Sequence, residues 1–242
     1  MRAGGTRMAG LIGVTLHHLV EVDPLLRIRA RWPEGLPIVR PMYHMPVLFA
    51  GKEPEWKDAR FGISRTFSSF NARSENFGES RLWKSLFGRS HAAVALSYIV
   101  EWRGEGGARV PYLVSRADGK ALWTPALTAP CFDDKSDVGF AICTRAPNQF
   151  FAHFHDRMVG VMTEELKDRW LAPGDSTPGK LLECVRAPEN DELVAVRAKG
   201  ELMKRKAEDL SPIETMGARI TYADLASGRG AKPAKAAKQA RL

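Results

Sequence analysis

The hexapeptide HFHDRM, His153 to Met158, places two imidazoles, one carboxylate and one guanidinium within six positions. Each of these groups must be hydrogen-bonded or solvated wherever it lies, so an ordinary buried strand or helix does not explain the combination. A histidine can also donate or accept a proton near neutral pH. The hexapeptide therefore indicates a site that acts on a substrate, with His155 as a candidate for proton transfer.

Two further stretches place polar groups where the flanking pattern is apolar. In FNARSENF the side chains of Asn71, Arg73 and Glu75 alternate with smaller residues, as they would on one face of an extended segment. In YIVEWRG the carboxylate of Glu101 ends an apolar strand beside Trp102. We expect a raised pKa for a carboxylate at the end of a buried strand, which would suit it to proton transfer.

Each candidate also has a structural alternative. Asn71 could cap a turn, Glu101 could pair with Arg103, and His155 could be a hydrogen-bonded structural histidine. The same side-chain types serve both kinds of role, so the residues alone leave these alternatives open.

Metal centres and the common catalytic motifs find no support in the sequence. His153, His155 and Asp156 lack a familiar zinc-ligand spacing. There is also no GxSxG hydrolase motif and no glycine-rich phosphate loop. We therefore expect neither a metal nor another cofactor.

Short apolar runs bounded by Gly, Pro or Asp indicate the strands that must position these groups. The predicted strands are 92–100, 110–115, 121–128, 138–144 and 158–162. The predicted helices are EELKDRWL at 164–171 with Thr163 as its cap, a second in GKLLECVRA at 179–187, and a short one in PNQFFAHF at 147–154. Many short strands with few helices predict an α+β domain, built on a mixed or antiparallel, barrel-like sheet with short peripheral helices.

The chain of 242 residues is long enough for one sizeable domain, and no linker or internal repeat divides it. We assign 8–225 to this domain, 1–7 to an N-terminal extension and 226–242 to a basic tail. The tail holds five of the 36 basic residues and no acid, so the rest of the chain carries 31 basic against 28 acidic residues. The tail is either a solvated, disordered terminus or an arm attracted to phosphates.

The cysteines and the hydropathy indicate a cytoplasmic protein. Cys131, Cys143 and Cys184 have no CxxC spacing and lie in apolar surroundings, as reduced core thiols do. No apolar run approaches the length of about 20 residues needed to cross a bilayer. We expect a monomer without a membrane partner.

Taken together and in order, several short motifs resemble the SRAP family, the SOS-response-associated peptidases that process abasic sites in DNA. They are FNARSE, an apolar strand closing in EW, PYLVSRADGK, TRAPNQFFAHFHDRM and an acidic helix ending in RWL. The resemblance runs from about residue 8 to about residue 200, in the order and approximate spacing of the family.

This resemblance implies binding of single-stranded DNA at an abasic site. In the family an N-terminal cysteine forms a thiazolidine with the ring-opened sugar aldehyde, and an autopeptidase step exposes that cysteine. On the matching positions, Asn71 would orient the amine, Glu101 would act as general acid and base, and His155 would protonate or stabilise the sugar oxygen. Arg73 and Arg157 would hold the phosphates that flank the lesion.

The sequence departs from the family pattern at the nucleophile. The best match to the family's Met-Cys-Gly-Arg start is MAGL, which puts Ala9 in the cysteine position and excludes thiazolidine closure. An imine through the amine of Ala9 remains a hypothesis, and it requires a chain that begins at Ala9. Phe61 stands near the family's tryptophan and is expected to stack on a DNA base with a smaller face.

Three functions therefore stay open at this stage. The first is a divergent enzyme of abasic-site processing, of the autopeptidase or lyase type. The second is a non-catalytic module that binds single-stranded DNA, and the third is a structural or interaction protein with the same fold.

Overall fold

The structure, a computed structural model, describes residues 11–15, 35–65, 69–172, 174, 176–200, 202–206 and 209–228. Ala9, the predicted extension at 1–7 and the part of the basic tail after Gly228 lie outside these residues.

Thirteen strands and four α-helices make up the regular structure of the described residues. The strands are β1 (Leu11–Thr15), β2 (Gly35–Val39), β3 (His44–Phe49), β4 (Glu55–Phe61), β5 (Asn71–Arg73), β6 (His91–Leu96), β7 (Tyr98–Glu105), β8 (Ala108–Arg116), β9 (Leu122–Pro130), β10 (Val138–Arg145), β11 (Met158–Val159), β12 (Leu193–Ala198) and β13 (Thr215–Ile220). The helices are α1 (Arg81–Leu86), α2 (Glu164–Leu171), α3 (Pro178–Glu183) and α4 (Tyr222–Ala226). Short 3-10 turns lie at Ser74–Asn76, Phe151–His153, Asn190–Glu192 and Leu202–Lys204.

The strands form two sheets. One is an antiparallel six-stranded sheet in the order β13-β12-β8-β7-β1-β2. In the other, β4, β3, β6, β9 and β10 close into a five-stranded barrel, because β10 pairs with both β4 and β9. The strands β5 and β11 extend this sheet from β10. The predicted α+β fold with a barrel-like mixed sheet and short helices is confirmed.

Helix α2 explains why the neighbouring barrel strands are apolar on both faces. All six residues of β6 are buried, because one face lines the barrel and the helix covers the other. Trp170 at the end of α2 is fully buried, and its indole N–H donates to the carbonyl oxygen of Ala92 at 2.8 Å. The helix begins where the sequence predicts it, since the hydroxyl of Thr163 accepts a hydrogen bond from the Leu166 amide at 3.3 Å.

The predicted single strand at 92–100 is wrong, because Ser97 separates two strands that belong to different sheets. The Ser97 amide donates to the carbonyl oxygen of Gly13 at 2.8 Å, which holds the crossing against β1. A Cβ on Gly13 would lie 2.4 Å from the ring of Tyr98, so this close approach requires glycine. A continuous apolar run gives no sign of which sheet each half joins.

Other predicted elements are present with shorter bounds. The strand predicted at 158–162 is reduced to β11, with Met162 in an isolated bridge to Trp123. The helix predicted at 179–187 is α3, and the one predicted at 147–154 is the 3-10 turn Phe151–His153. No helix in the described part of the chain is long and apolar enough to span a membrane.

Candidate functional site

The strand β5 places Asn71 and Arg73 at the end of the barrel sheet. It runs parallel to β10, with Asn71 opposite Ile142 and Arg73 opposite Thr144. Asn71 is half-buried and Arg73 is exposed. The prediction that Glu75 continues the same extended face is wrong, because the strand ends at Arg73 and the chain turns at Ser74–Asn76.

The strand β11 brings the hexapeptide to the same part of β10. Thr144 pairs with Val159 of β11 on one side and with Arg73 of β5 on the other. His155 and Arg157 come just before β11 in the chain, so the topology gathers the two polar stretches around the carboxyl-terminal half of β10.

Arg157 is held by side chains from both neighbouring elements. Its guanidinium forms a bidentate ion pair with Glu75, with both nitrogen–oxygen distances at 2.8 Å. It also donates to the hydroxyl of Thr144 at 3.2 Å. The hydrogen bond from Arg157 lowers the pKa of Glu75. Glu75 is thus the ion-pair partner of Arg157, the arginine predicted to hold a phosphate.

His155 is buried, with two different groups at the same ring nitrogen. Its Nδ1 accepts a hydrogen bond from the Arg157 amide at 3.0 Å and lies 2.8 Å from a carboxylate oxygen of Asp156. Accepting from the amide requires a lone pair on Nδ1, whereas binding the carboxylate requires a proton there. The Asp156 side chain is 85% exposed, so it can leave or rejoin the imidazole as the proton moves. His153 is exposed in the preceding turn.

Glu101 is a buried carboxylate, 2% exposed, on β7 of the six-stranded sheet. It stands directly opposite Tyr112 of β8, so both side chains lie on the same face. The ring of Tyr112 meets the ring of Phe154 edge-on at 5.4 Å. Phe154 immediately precedes His155, so this face of the sheet is turned toward the hexapeptide.

Tyr112 is a residue of this region that the sequence did not indicate. Its hydroxyl donates to a carboxylate oxygen of Glu105 at 2.5 Å. Burial, together with this carboxylate, raises the pKa of Tyr112 to about 12. Tyr112 therefore stays neutral and links the turn end of β7, at Glu105, to the part of β8 that packs on Phe154.

The prediction that Phe61 stacks on a base does not hold in this structure. Phe61 is fully buried, stacked on Phe140 with ring centroids 5.2 Å apart and edge-on to Phe70 at 5.6 Å. It has no face open to a base. An exposed aromatic lies on the loop between β9 and β10: Phe132 is 49% exposed, and its amide donates to the Ile63 carbonyl at 3.0 Å.

The three cysteines are buried and free, as predicted. Cys143 lies opposite Ala72, between the partners of Asn71 and Arg73 on β10, but burial raises the pKa of its thiol. Burial also raises the pKa of Cys131, to about 11, and that of Cys184. None of these thiols is suited to replace a nucleophilic cysteine at the Ala9 position.

The chain enters the six-stranded sheet beside Glu101. Leu11, the first described residue, pairs with Val100, which is the neighbour of Glu101 on β7. In the part of the chain that the structure describes, no group of three or more His, Cys, Asp or Glu residues could hold a metal ion.

Comparison with known proteins gives the family. A model of the SRAP family, SOS response associated peptidase, matches residues 38–204. This is more than half of the chain, and the chain belongs to the SRAP family. The predicted resemblance is confirmed, and all the candidate residues except Ala9 lie within the matched range.

Similar proteins carry names that concern abasic sites. The abasic site processing protein YedK of Escherichia coli is 27% identical over 175 residues, which cover 70% of this chain and 76% of that protein. An abasic site processing protein of Saccharomyces cerevisiae is 31% identical over 133 residues, covering 53% of this chain and 35% of that protein. The second match therefore spans about a third of the length of the yeast protein.

Solved structures share the fold at low sequence identity. A protein from Bacteroides thetaiotaomicron has a TM-score of 0.70 at 16% identity, over 83% of this chain and 96% of that one. A protein from Bordetella bronchiseptica has a TM-score of 0.63 at 17% identity, over 78% of this chain and 99% of that one.

Proposed function

We propose that this protein processes abasic sites in DNA and that a single strand binds where β5 and the hexapeptide meet on β10. The family and the names of its relatives support the reaction class. One observation carries the location: Asn71 and Arg73 lie on one side of the end of β10, with His155 and Arg157 on the other.

We propose that the phosphates of the DNA single strand bind Arg73 first. Arg73 is exposed and forms no ion pair with any residue that the structure describes. Arg157 is bound to Glu75, whose side chain is 49% exposed. Such a partly exposed pair contributes only about 1 kcal/mol or less, so a phosphate can replace the carboxylate. Binding should then weaken as salt rises, because phosphate contacts release counterions.

The proton transfers are proposed for Glu101 and His155. The amine of an N-terminal Ala9 would attack the aldehyde of the ring-opened sugar, a carbon–nitrogen bond would form, and water would leave to give the imine. Glu101 would take the proton from the amine, and His155 would give one to the departing oxygen. The entry of β1 beside Glu101 supports this route. Asn71 would hydrogen-bond the amine and orient it.

A second candidate is a module that binds an abasic strand without reacting. Ala9 in the cysteine position and the high pKa values of the buried thiols favour it, since neither supplies a thiolate to close a thiazolidine. The third possibility, an interaction protein that uses its basic tail, predicts no preference for single strands over other polyanions.

The test is a binding titration against matched single strands with and without one abasic site, with and without borohydride. It uses the full chain and a form whose first residue is Ala9. We expect tighter binding of the abasic strand by both forms, and a borohydride-trapped adduct only from the form that begins at Ala9. Glu101→Gln in that form should reduce the trapping rate while the strand still binds.

The outcomes separate the candidates. A preference for the abasic strand without an adduct from either form would establish the binding module and reject the enzyme. Equal binding of both strands and of heparin would reject processing of abasic sites altogether.

A further inference from the structure

A cavity of about 550 Å³ lies between the start of α2, the barrel wall and the end of β8. Its described lining shares no residue with the strand site, the proposed DNA-binding site formed by Asn71, Arg73, His155 and Arg157. The lining of the cavity includes Trp56, Trp123, Arg116, Lys120, Glu164 and Lys167. Arg116 is four residues from Tyr112 along β8, which is roughly 13 Å at the rise of a strand. The volume falls within the range of sites for small ligands.

Two indole rings form an aromatic wall of this cavity. The ring centroids of Trp56 and Trp123 are 6.1 Å apart, with their planes tilted by 38°. The indole N–H of Trp123 donates to Glu164 at 2.8 Å, and the ammonium of Lys167 lies 4.7 Å from the Trp123 ring centroid. The Trp123 ring is therefore fixed, and the half-buried Trp56 beside it offers a surface on which a planar ring can stack.

Some charged side chains at the rim of the cavity are in ion pairs within the described part of the chain, whereas one lysine is not. Arg116 makes a bidentate pair with Asp118, at 2.9 and 2.6 Å, and Lys167 is paired with Glu164. Lys120 is exposed and forms no ion pair with any described residue, which leaves its ammonium available to an anion. The carboxylates of Glu164 and Glu192 lie in the same lining. Glu164 already accepts from Trp123 at 2.8 Å, and Glu192 accepts from Arg186 at 2.9 and 3.0 Å. Each carboxylate has further lone pairs that can accept from amino groups or hydroxyls.

We propose that this cavity binds a nucleotide, with its base against Trp56 and Trp123 and its phosphate at Lys120. Glu164 and Glu192 accept hydrogen bonds from the amino group of the base and from the sugar hydroxyls. This arrangement uses aromatic faces for a planar ring, carboxylates for its donors and a lysine for its charge. It does not depend on the processing of abasic sites, because the strand site shares none of these residues.

The experiment is calorimetric titration of the full chain with AMP, adenosine, inorganic phosphate and benzoate. We expect AMP to bind at least fivefold more tightly than each of the other three ligands. Trp56→Leu and Lys120→Ala should each weaken AMP binding at least fivefold, while Lys52→Ala, another exposed lysine, should leave it unchanged. Lys120→Ala changes only a surface side chain, so it tests the site even if Trp56→Leu lowers stability.

Three results would overturn the proposal. They are no binding of AMP, equal or tighter binding of phosphate or benzoate, and AMP binding that both cavity variants leave unchanged. Arg73→Ala should not alter AMP binding, and AMP should not displace an abasic strand. If the titration with abasic DNA fails, the AMP titration can therefore still be interpreted independently.

Discussion

His91 and His155 are both buried, but the groups at their ring nitrogens differ. In the barrel, Nδ1 of His91 donates to the Trp170 carbonyl at 2.9 Å and Nε2 accepts from the Gly88 amide at 2.8 Å. The ring also stacks on Trp170 with centroids 3.8 Å apart. At the strand site, Nδ1 of His155 lies within reach of two groups, the Arg157 amide at 3.0 Å and the exposed carboxylate of Asp156 at 2.8 Å.

The difference separates a fixed histidine from one that can change partners. Both partners of His91 are main-chain groups, which cannot move away without unfolding α2 or the turn before β6. Burial lowers the pKa of His91 to about 4. His155 and Arg157 have side-chain partners, Asp156 and Glu75, that are more exposed and can move away without unfolding the chain. The polar groups of the core stabilise the fold, while those of the site remain exchangeable.

The largest expected effect that tests the comparison of the two histidines is on the free energy of unfolding. We expect His91→Ala to lower the free energy of unfolding by roughly 3 kcal/mol, because it opens a cavity and leaves a buried amide and carbonyl without partners. His155→Ala should cost about half as much or less, since it leaves fewer main-chain groups unsatisfied. In the form that begins at Ala9, it should also abolish borohydride trapping of the abasic strand. Urea unfolding of both variants at pH 7.5 measures the difference. Equal losses of stability would contradict the assignment of roles.

A second expected effect is on the pH dependence of stability. The unfolded chain protonates His91 near its ordinary pKa of 6.5, whereas the native protein does so only at about 4. The stabilisation is therefore present above pH 6.5 and is lost as the pH falls toward 4. Between pH 7 and pH 5 the loss should be roughly 2 kcal/mol.

The control for this pH effect is His91→Gln, which cannot titrate. Its free energy of unfolding should change by about 2 kcal/mol less than that of the wild type over the same pH interval. If both proteins lose the same stability, another group causes the loss and the neutral state of His91 is not its source.

The contrast between the two histidines also shows what local sequence can predict. The sequence predicted α2 to the residue, because Thr163, the acidic first turn and the basic residues toward the end all act locally. It placed the start of the strand at Ala92 and so overlooked His91, whose partners at Gly88 and Trp170 depend on packing between elements.

At the strand site the sequence identified the candidate residues but not the side chains that they contact. Glu75 and Arg157 are 82 positions apart, and only the pairing of β5 and β11 with β10 brings them together. The burial of Phe61 was also missed, because a match of residue type does not give the direction of a side chain in a closed barrel. The confirmed predictions rest on local signals, whereas the missed ones depend on tertiary contacts.

A third prediction concerns the exposed cation of the site. Arg73→Ala should weaken binding of an abasic strand roughly five- to tenfold and reduce the slope of log affinity against log salt by about one. Arg219→Ala removes another exposed arginine, on β13 at the edge of the six-stranded sheet, and serves as the control. If both variants bind alike, the strand does not contact β5. The measurement is fluorescence anisotropy at several salt concentrations.

The smallest predicted effect tests whether the partner of Arg157 can be exchanged. Glu75→Gln removes the charge that competes with a phosphate for the guanidinium, so strand affinity should rise about two- to fivefold. The free energy of unfolding should fall by no more than about 1 kcal/mol, as expected for a partly exposed ion pair. Glu79→Gln, an exposed glutamate on the turn before α1, controls for the general loss of a negative charge.

The sign of the affinity change decides the role of Glu75. If Glu75 only blocks Arg157 until a phosphate arrives, its removal strengthens binding and Glu79→Gln does not. If Glu75 instead holds Arg157 in the orientation that receives the phosphate, Glu75→Gln weakens binding even though the protein loses a negative charge. That second result would make the Glu75–Arg157 ion pair a fixed contact, like those of His91. The carboxylate of Asp156 would then be the one partner in this comparison that is still expected to exchange.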